Sequence, residues 1–478
     1  MLSGTRLAAT ALVLCCASCV AFASTATKKV DELFATWSKP DHPGCAVGVL
    51  RHGRMLYSRG YGFADIEHDA PITPATVFHV ASVSKQFTAM AIHLLAQDGK
   101  LSLDDDVRKY LPELHDFGKT IKIRHLLYHT SGLRDQWDLL ILAGWRMGDV
   151  ITEQDILDLV WRQQELNFAP GEEHLYSNTG YTLLGVIVKR VSGKTLREFT
   201  DERMFKPLGM AHSHFHEQYG SLVKGRAFSY IPLPGPQQQG YRSIALSYSN
   251  VGATSLFTTV DDLARWDENF YSGRVGGKDL LTAMQLKGTL NDGSEIAYAS
   301  GLMIGDYRGL KVVEHSGGDA GFRVQLTRFP DQHFSAIVLC NAGDADTSLL
   351  SRKLADIYLA DQLAPATRTQ PTEEAPEPSS ELAHPDRDRL QAYAGTYYSS
   401  ELNAVYIVGV RAETLFVRYP RGELELQPLG TDAFAAPPVG VLKFDCAKAT
   451  RCETLLVTTD RVRNLRLNRV DLSQGPSA

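Results

Sequence analysis

Apolar residues recur along this chain at two periods, and the changes from one period to the other mark its elements. Phe87, Met90, Ala91, Leu94 and Leu95 follow a β-favouring run that opens at Val77, and their spacing predicts an amphipathic helix with one buried face. That helix stops at Asp98-Gly99-Lys100, where Gly99 suits a left-handed cap. Upstream, Val30 to Trp37 reads as a helix ending before Pro40, and Ala46 to Leu50 and Met55 to Arg59 read as a strand pair turning through His52-Gly53. Ile151 to Gln163 is amphipathic at helical period. So is the stretch after Tyr176-Ser177-Asn178, where Tyr181, Leu184, Gly185, Ile187, Val188 and Val191 share a face. Val260 to Asn269 carries Leu263 and Trp266 on another helix. Three strands close this region: Lys311 to His315, then Val324 to Phe329 and Phe334 to Cys340. After the first of them, the glycine pair of Ser316-Gly317-Gly318 either lets backbone N–H groups approach a ligand closely or simply makes a tight turn.

From Ala364 to Asp386 the composition shifts to Pro, Glu, Ser and Thr, which predicts a linker over 364–386. Residues 389–470 hold seven short β-rich runs at regular spacing and predict a small antiparallel barrel or sandwich.

The N-terminus follows a different rule. Arg6, an apolar small-residue run from Leu7 to Phe22 and Ala21-Phe22-Ala23 predict a signal peptide over 1–23, hence a periplasmic or secreted protein. Cys19 after Ala17-Ser18 admits a lipoprotein, although Cys16 stands where an aliphatic residue is usual. Four of the seven cysteines lie beyond this leader. Export permits disulfides. Cys446 and Cys452 flank a turn-like stretch and are expected to bond, whereas Cys45 and Cys340 pair if their strands are neighbours and otherwise stay as buried thiols. A net charge of −6 leaves no basic footprint for nucleic acid, and no run after the leader is apolar and long enough to cross a bilayer.

Candidate chemistry centres on Ser82 and Lys85, one helical turn apart. A serine needs a base, and a lysine serves as one only if burial or positive charge lowers its pKa. The same pattern at Ser221 to Lys224 lies in polar, Pro-rich surroundings without a following apolar helix. Tyr176 and Asn178 stand at a helix start after Pro170-Gly171. A second Tyr-Ser-Asn at Tyr248 to Asn250 competes with them. Metal readings of Asp104-Asp105-Asp106, of His125 with His129, and of His212, His214 and His216 are each weaker than a solvated or packed structural role.

Ser82-Val83-Ser84-Lys85, Tyr176-Ser177-Asn178 and His315-Ser316-Gly317, in this order and context, resemble the serine β-lactamase-like family of class C β-lactamases, D-alanyl-D-alanine peptidases, D-aminopeptidases and esterases. Leu126 to Leu133, Lys206 to Met210 and Thr258 to Ala264 extend the resemblance over residues 28–360. It implies an α/β (α+β) fold, an antiparallel sheet flanked by helices with a helical subdomain, and a lipocalin-like barrel after it. It also implies Ser82 as nucleophile and Lys85 and Tyr176 in proton transfer. Asn178 would bind Lys85 and the substrate's amide, Ser82 and Gly318 N–H groups would form the oxyanion hole, and His315 and Gly317 would line the sheet side. The expected partner is a small-molecule or peptide substrate, with no cofactor or metal, and the oligomeric state is open. Histidine replaces the lactamases' strand lysine, which favours a peptidase or esterase over the alternatives of a β-lactamase or a sensor that never turns over.

Overall fold

The computed structural model describes residues 25–235, 240–365, 387–446 and 451–471. The leader over 1–23, nearly all of the 364–386 linker and most of the turn between Cys446 and Cys452 fall outside them. Among the described residues no helix is long and apolar enough to cross a membrane.

Six antiparallel strands form the central sheet, in the spatial order Met303–Tyr307, Leu310–Asp319, Phe322–Phe329, Phe334–Cys340, Cys45–Arg51 and Arg54–Tyr61. The first strand in sequence thus lies beside the last, with Cys45 directly opposite Cys340. These two cysteines are bonded, as are Cys446 and Cys452. Cys45 to Leu50 are all buried because both faces of the sheet are covered. Val47 and Val49 pack with Val30 of the helix over 25–33, with Phe34 just after it and with Leu354 and Tyr358 of the helix Thr347–Tyr358. Ala46 and Leu50 share the larger core with the helices Ser84–Gln97, Asn178–Ser192 and Val260–Ser272.

The helix Ser84–Gln97 departs from the one-faced expectation: every residue from Ser84 to Leu95 is buried. It lies between the sheet and the other helices, so its polar residues are matched by neighbours. Gln86 accepts from Trp266 Nε1 at 3.0 Å, and Thr88 Oγ1 donates to Gly252 O at 2.8 Å.

Before this helix, Ala81–Val83 forms a single 3₁₀ turn that carries Ser82. Ala81 has φ of +46°, a left-handed conformation unusual for a residue with a side chain. The strand Leu310–Asp319 passes close by and runs on through Ser316, Gly317 and Gly318, so of the two readings of this glycine pair the tight turn is the one that falls. Its glycines serve close approach instead. A β-carbon on Gly317 would lie 2.5 Å from Val80 O and 2.6 Å from Val324 Cγ2.

Nine further strands, from Gly395–Ser399 to Leu465–Val470, make one curled antiparallel sheet, a nearly closed barrel. Ala404, Tyr406 and Val408 point inward while Val405 and Ile407 face out, the period-2 alternation expected of such a wall. The barrel is fastened to the rest of the chain. Arg134 forms a buried ion pair with Glu401, and Tyr406 Oη donates to Leu142 O at 2.9 Å.

The Cys45–Cys340 bond closes a loop of 295 residues, so replacing both by Ala is expected to cost about 2–5 kcal/mol, read as a lower thermal midpoint. Gly317→Ala is expected to lower the midpoint by about 1–3 kcal/mol equivalent, because neither Val80 nor Val324 can move without disturbing the Ser82 turn. Gly148→Ala, at a glycine with open space at its β-carbon position and no left-handed φ, is the control and is expected to leave the midpoint nearly unchanged.

Candidate active site

Helical spacing brings Lys85 back over the turn that carries Ser82, and Lys85 Nζ lies 3.0 Å from Ser82 Oγ. Two more oxygens complete its shell: Asn178 Oδ1 at 2.9 Å and Ala253 O at 2.8 Å. The side chain is fully buried. Burial pushes its pKa down to about 7, Asp135 opposes that shift, and Arg461 adds to it. The geometry serves both protonation states. An ammonium donates to all three oxygens, while a neutral amine donates to Asn178 and Ala253 and turns its lone pair to the Ser82 hydroxyl.

Asn178 begins the helix Asn178–Ser192, and its N–H and Nδ2 both donate to Asp135 Oδ2, at 2.6 and 2.8 Å. The amide is thereby fixed with Oδ1 toward Lys85. Asp135 itself is fully buried.

Tyr176 joins this group from the same loop. Its ring centroid is 4.9 Å from Lys85 Nζ and 4.1 Å from that of His129. Its Oη is buried with no directed hydrogen bond, and burial pushes the phenol well above 10. The nearby Ser82 hydroxyl and Arg461 act the other way. His129 Nδ1 accepts from Ser177 N at 3.1 Å, so its proton sits on Nε2. Burial holds it neutral, and its role is to back the Tyr176 ring.

From the sheet side, His315 Nδ1 is 2.6 Å from Ser316 O and Nε2 is 2.8 Å from Tyr298 Oη. A carbonyl only accepts, so Nδ1 carries the proton and Tyr298 donates to Nε2. Burial pushes the His315 pKa to about 4 and leaves the ring uncharged at neutral pH. Gly318 faces the cleft, whereas Gly317 is buried against Val80 and Ala81.

Ser82, Tyr176, Asn178, His315 and Gly318 thus line one cavity of about 430 Å³. The second Tyr-Ser-Asn does not compete for Lys85. Tyr248 Oη donates to Asp319 at the cleft wall, where Thr254 Oγ1 also donates at 2.9 Å, and Asn250 is buried beside Thr182. The second Ser-x-x-Lys is a surface turn, with Leu222 98% exposed. Arg323 ties its own hairpin, donating to Ala320 O and Phe322 O. Asp104 pairs with Lys122 and Arg124. His212, His214 and His216 line a separate surface cavity, and among the described residues no three His, Cys, Asp or Glu are grouped to hold a metal.

Sequence reasoning missed four contributors: Asp135, His129, Tyr298 and Arg461. Asp135 precedes the helix Gln136–Leu142 and caps it, donated to by Trp137 N at 3.0 Å, a legible signal. Arg461 carries none, since it comes from the turn between the barrel strands Thr454–Thr458 and Leu465–Val470. Its guanidinium lines the cleft 5.1 Å from the Tyr176 ring centroid.

Comparison with known proteins identifies the family. The Beta-lactamase family model matches residues 27–360. Penicillin-binding protein 4* of Bacillus subtilis is 30% identical over 66% of this chain and 71% of its own length. The D-aminopeptidase of Gluconobacter oxydans is 27% identical over 63% of this chain and 56% of its own length. The octameric penicillin-binding protein homologue from Pyrococcus abyssi superimposes with a TM-score of 0.61 at 23% identity, covering 93% of this chain and 99% of that one. A matched family model over most of the chain, on a fold that gathers serine, lysine and tyrosine in one cleft, places this protein in the β-lactamase family of serine hydrolases.

Proposed function

We propose that the protein is an exported hydrolase that cleaves an amide or ester, in D-amino-acid peptides or small esters, through an acyl-enzyme on Ser82. The observation that carries this reading is Lys85: fully buried, with a pKa near 7 and its nitrogen 3.0 Å from Ser82 Oγ. A scaffold or sensor has no use for an amine held in that state. The relatives support the D-amino-acid class, since one is named a D-aminopeptidase. The neutral His315 gives the strand no cation for a β-lactam carboxylate, which favours peptidase or esterase chemistry over a lactamase. Two disulfides support export, because such bonds persist in oxidising compartments.

In this mechanism neutral Lys85 takes the Ser82 proton as Oγ bonds to the substrate carbonyl. The N–H groups of Ser82 and Gly318 receive the oxyanion. As the carbonyl re-forms, the bond to the leaving group breaks and Tyr176, with Lys85, returns a proton to the departing nitrogen or oxygen. Lys85 Nζ lies 4.9 Å from the Tyr176 ring centroid and both residues border Ser82, so the pair rather than either member is the acid–base unit. Water then attacks the acyl-enzyme by the same steps.

A fluorophosphonate is expected to label Ser82, located by peptide mapping, and not to label Ser82→Ala; label elsewhere, or undiminished label in the variant, removes the assignment. Protonated Lys85 cannot accept a proton. The kcat/KM for an uncharged ester is therefore expected to rise with pH through an inflection near 7, not near an ordinary lysine's 10.5. Lys85→Ala should lose on the order of 10³-fold or more and the inflection with it.

A further inference from the structure

We infer that Arg461 of the C-terminal barrel anchors a carboxylate on the leaving-group half of the substrate, so that amides and esters with an anionic departing group are preferred. The inference rests on the hydrolase reading above and adds to it a substrate class and the residue that selects it.

The turn carrying Arg461 is held by its main chain. Arg461 N donates to Asp138 Oδ2 at 3.2 Å, and its carbonyl accepts from Asn167 Nδ2 at 2.9 Å. Arg463 N donates to Asn167 Oδ1 at 2.8 Å, and Val462 is fully buried. The Arg461 side chain is therefore not needed to dock the turn. It is delivered to the cavity wall and left 40% exposed there.

Its guanidinium has donors to spare. The closest carboxylate oxygen, Asp135 Oδ2, is 4.0 Å away and already accepts twice from Asn178. Among the described residues no acceptor lies within hydrogen-bond distance of it. Five N–H groups in a planar fork, partly desolvated and unclaimed, match a carboxylate in two parallel hydrogen bonds.

The rest of the wall makes Arg461 the group for an anion. His174 and His315 are kept neutral by burial. Asp319, the other charged lining residue, is engaged by Tyr248 and Thr254. The strand, with His315, thus offers no permanent positive charge, and the barrel supplies it. Position decides which half of the substrate meets it. Arg461 lies against Tyr176, which in the mechanism above returns the proton to the leaving group together with Lys85, so the departing portion passes beside the guanidinium.

The test uses the full-length protein and two esters of hippuric acid, phenyl and 3-carboxyphenyl, which differ in one carboxylate on the leaving group. The readout is the ratio of their kcat/KM values, carboxyphenyl over phenyl. The wild type is expected to favour the carboxylated ester, and Arg461→Ala to lower the ratio by roughly tenfold or more, with Arg461→Lys between. Raising salt from about 0.05 to about 0.5 M should lower the wild-type ratio and leave that of Arg461→Ala flat, a measurement that also reads the wild type alone. A ratio unchanged within about twofold, with both rates falling together, would make Arg461 a packing residue and overturn the anchor. A wild type that hydrolyses both esters without preference also removes the anchor while leaving the hydrolase intact. A wild type that hydrolyses neither removes the hydrolase reading and the anchor with it.

Discussion

An amine shut away from water and met by three oxygens is the constraint around which this molecule is arranged. Holding Lys85 near 7 rather than its ordinary 10.5 corresponds to roughly 5 kcal/mol of disfavoured charge. A group so placed would escape to solvent unless its surroundings over-determined its position. They do so from several directions. Ser84 Oγ donates to Ala81 O and accepts from Leu256 N, Thr88 ties the same helix to Gly252, and Phe87 packs against Trp266 at 4.3 Å between ring centroids. The left-handed Ala81 and the close pass of Gly317 belong to the same clamp.

What the sequence made legible was local. Ser82 and Lys85 meet because residues three apart share a helix face, and that can be read from spacing alone. Tyr176 and Asn178 could be placed at a helix start for the same reason, and the Cys446–Cys452 bond spans too few residues to need the fold. The features that resisted reading depend on elements distant in the chain. Cys45 finds Cys340 only once the first strand is known to lie beside the last. The glycine pair after His315 could be read as a close-approach site or as a tight turn, and only the Ser82 turn pressed against Gly317 decides between them. The helix after Ser82 is buried all round, which a one-faced apolar pattern does not disclose, because its inward polar residues are matched by partners from three other segments.

The barrel shows the same limit at larger scale. Its strands were recognisable as β-rich runs at regular spacing, yet nothing in residues 389–470 marks Arg461 as facing a cleft built by the other part of the chain. That relation exists through paired polar groups: the buried Arg134–Glu401 ion pair and the Asn167 amide, which both donates to and accepts from the Arg461 turn. A buried ion pair is costly to break by halves. The two parts are therefore held in one register, and the cavity wall is as much a product of that register as of either fold.

Charge in the cleft explains why these particular residues surround the lysine. His129, His174 and His315 are all kept neutral by burial, so the imidazoles shape the site without adding field. The formal charges that act on Lys85 are then Asp135, Arg461 and, least of the three, Asp319. Burial and Arg461 both drive the proton off Lys85, and each step in that direction also weakens the amine as a base. Asp135 acts the other way, through the Asn178 amide that it holds against Lys85 Nζ. The ammonium that forms as Ser82 attacks is thus born facing an already oriented carboxylate, with no water to reorganise. Asp135, with Asp319 acting in the same direction, thus keeps for the buried lysine part of the base strength that burial takes away.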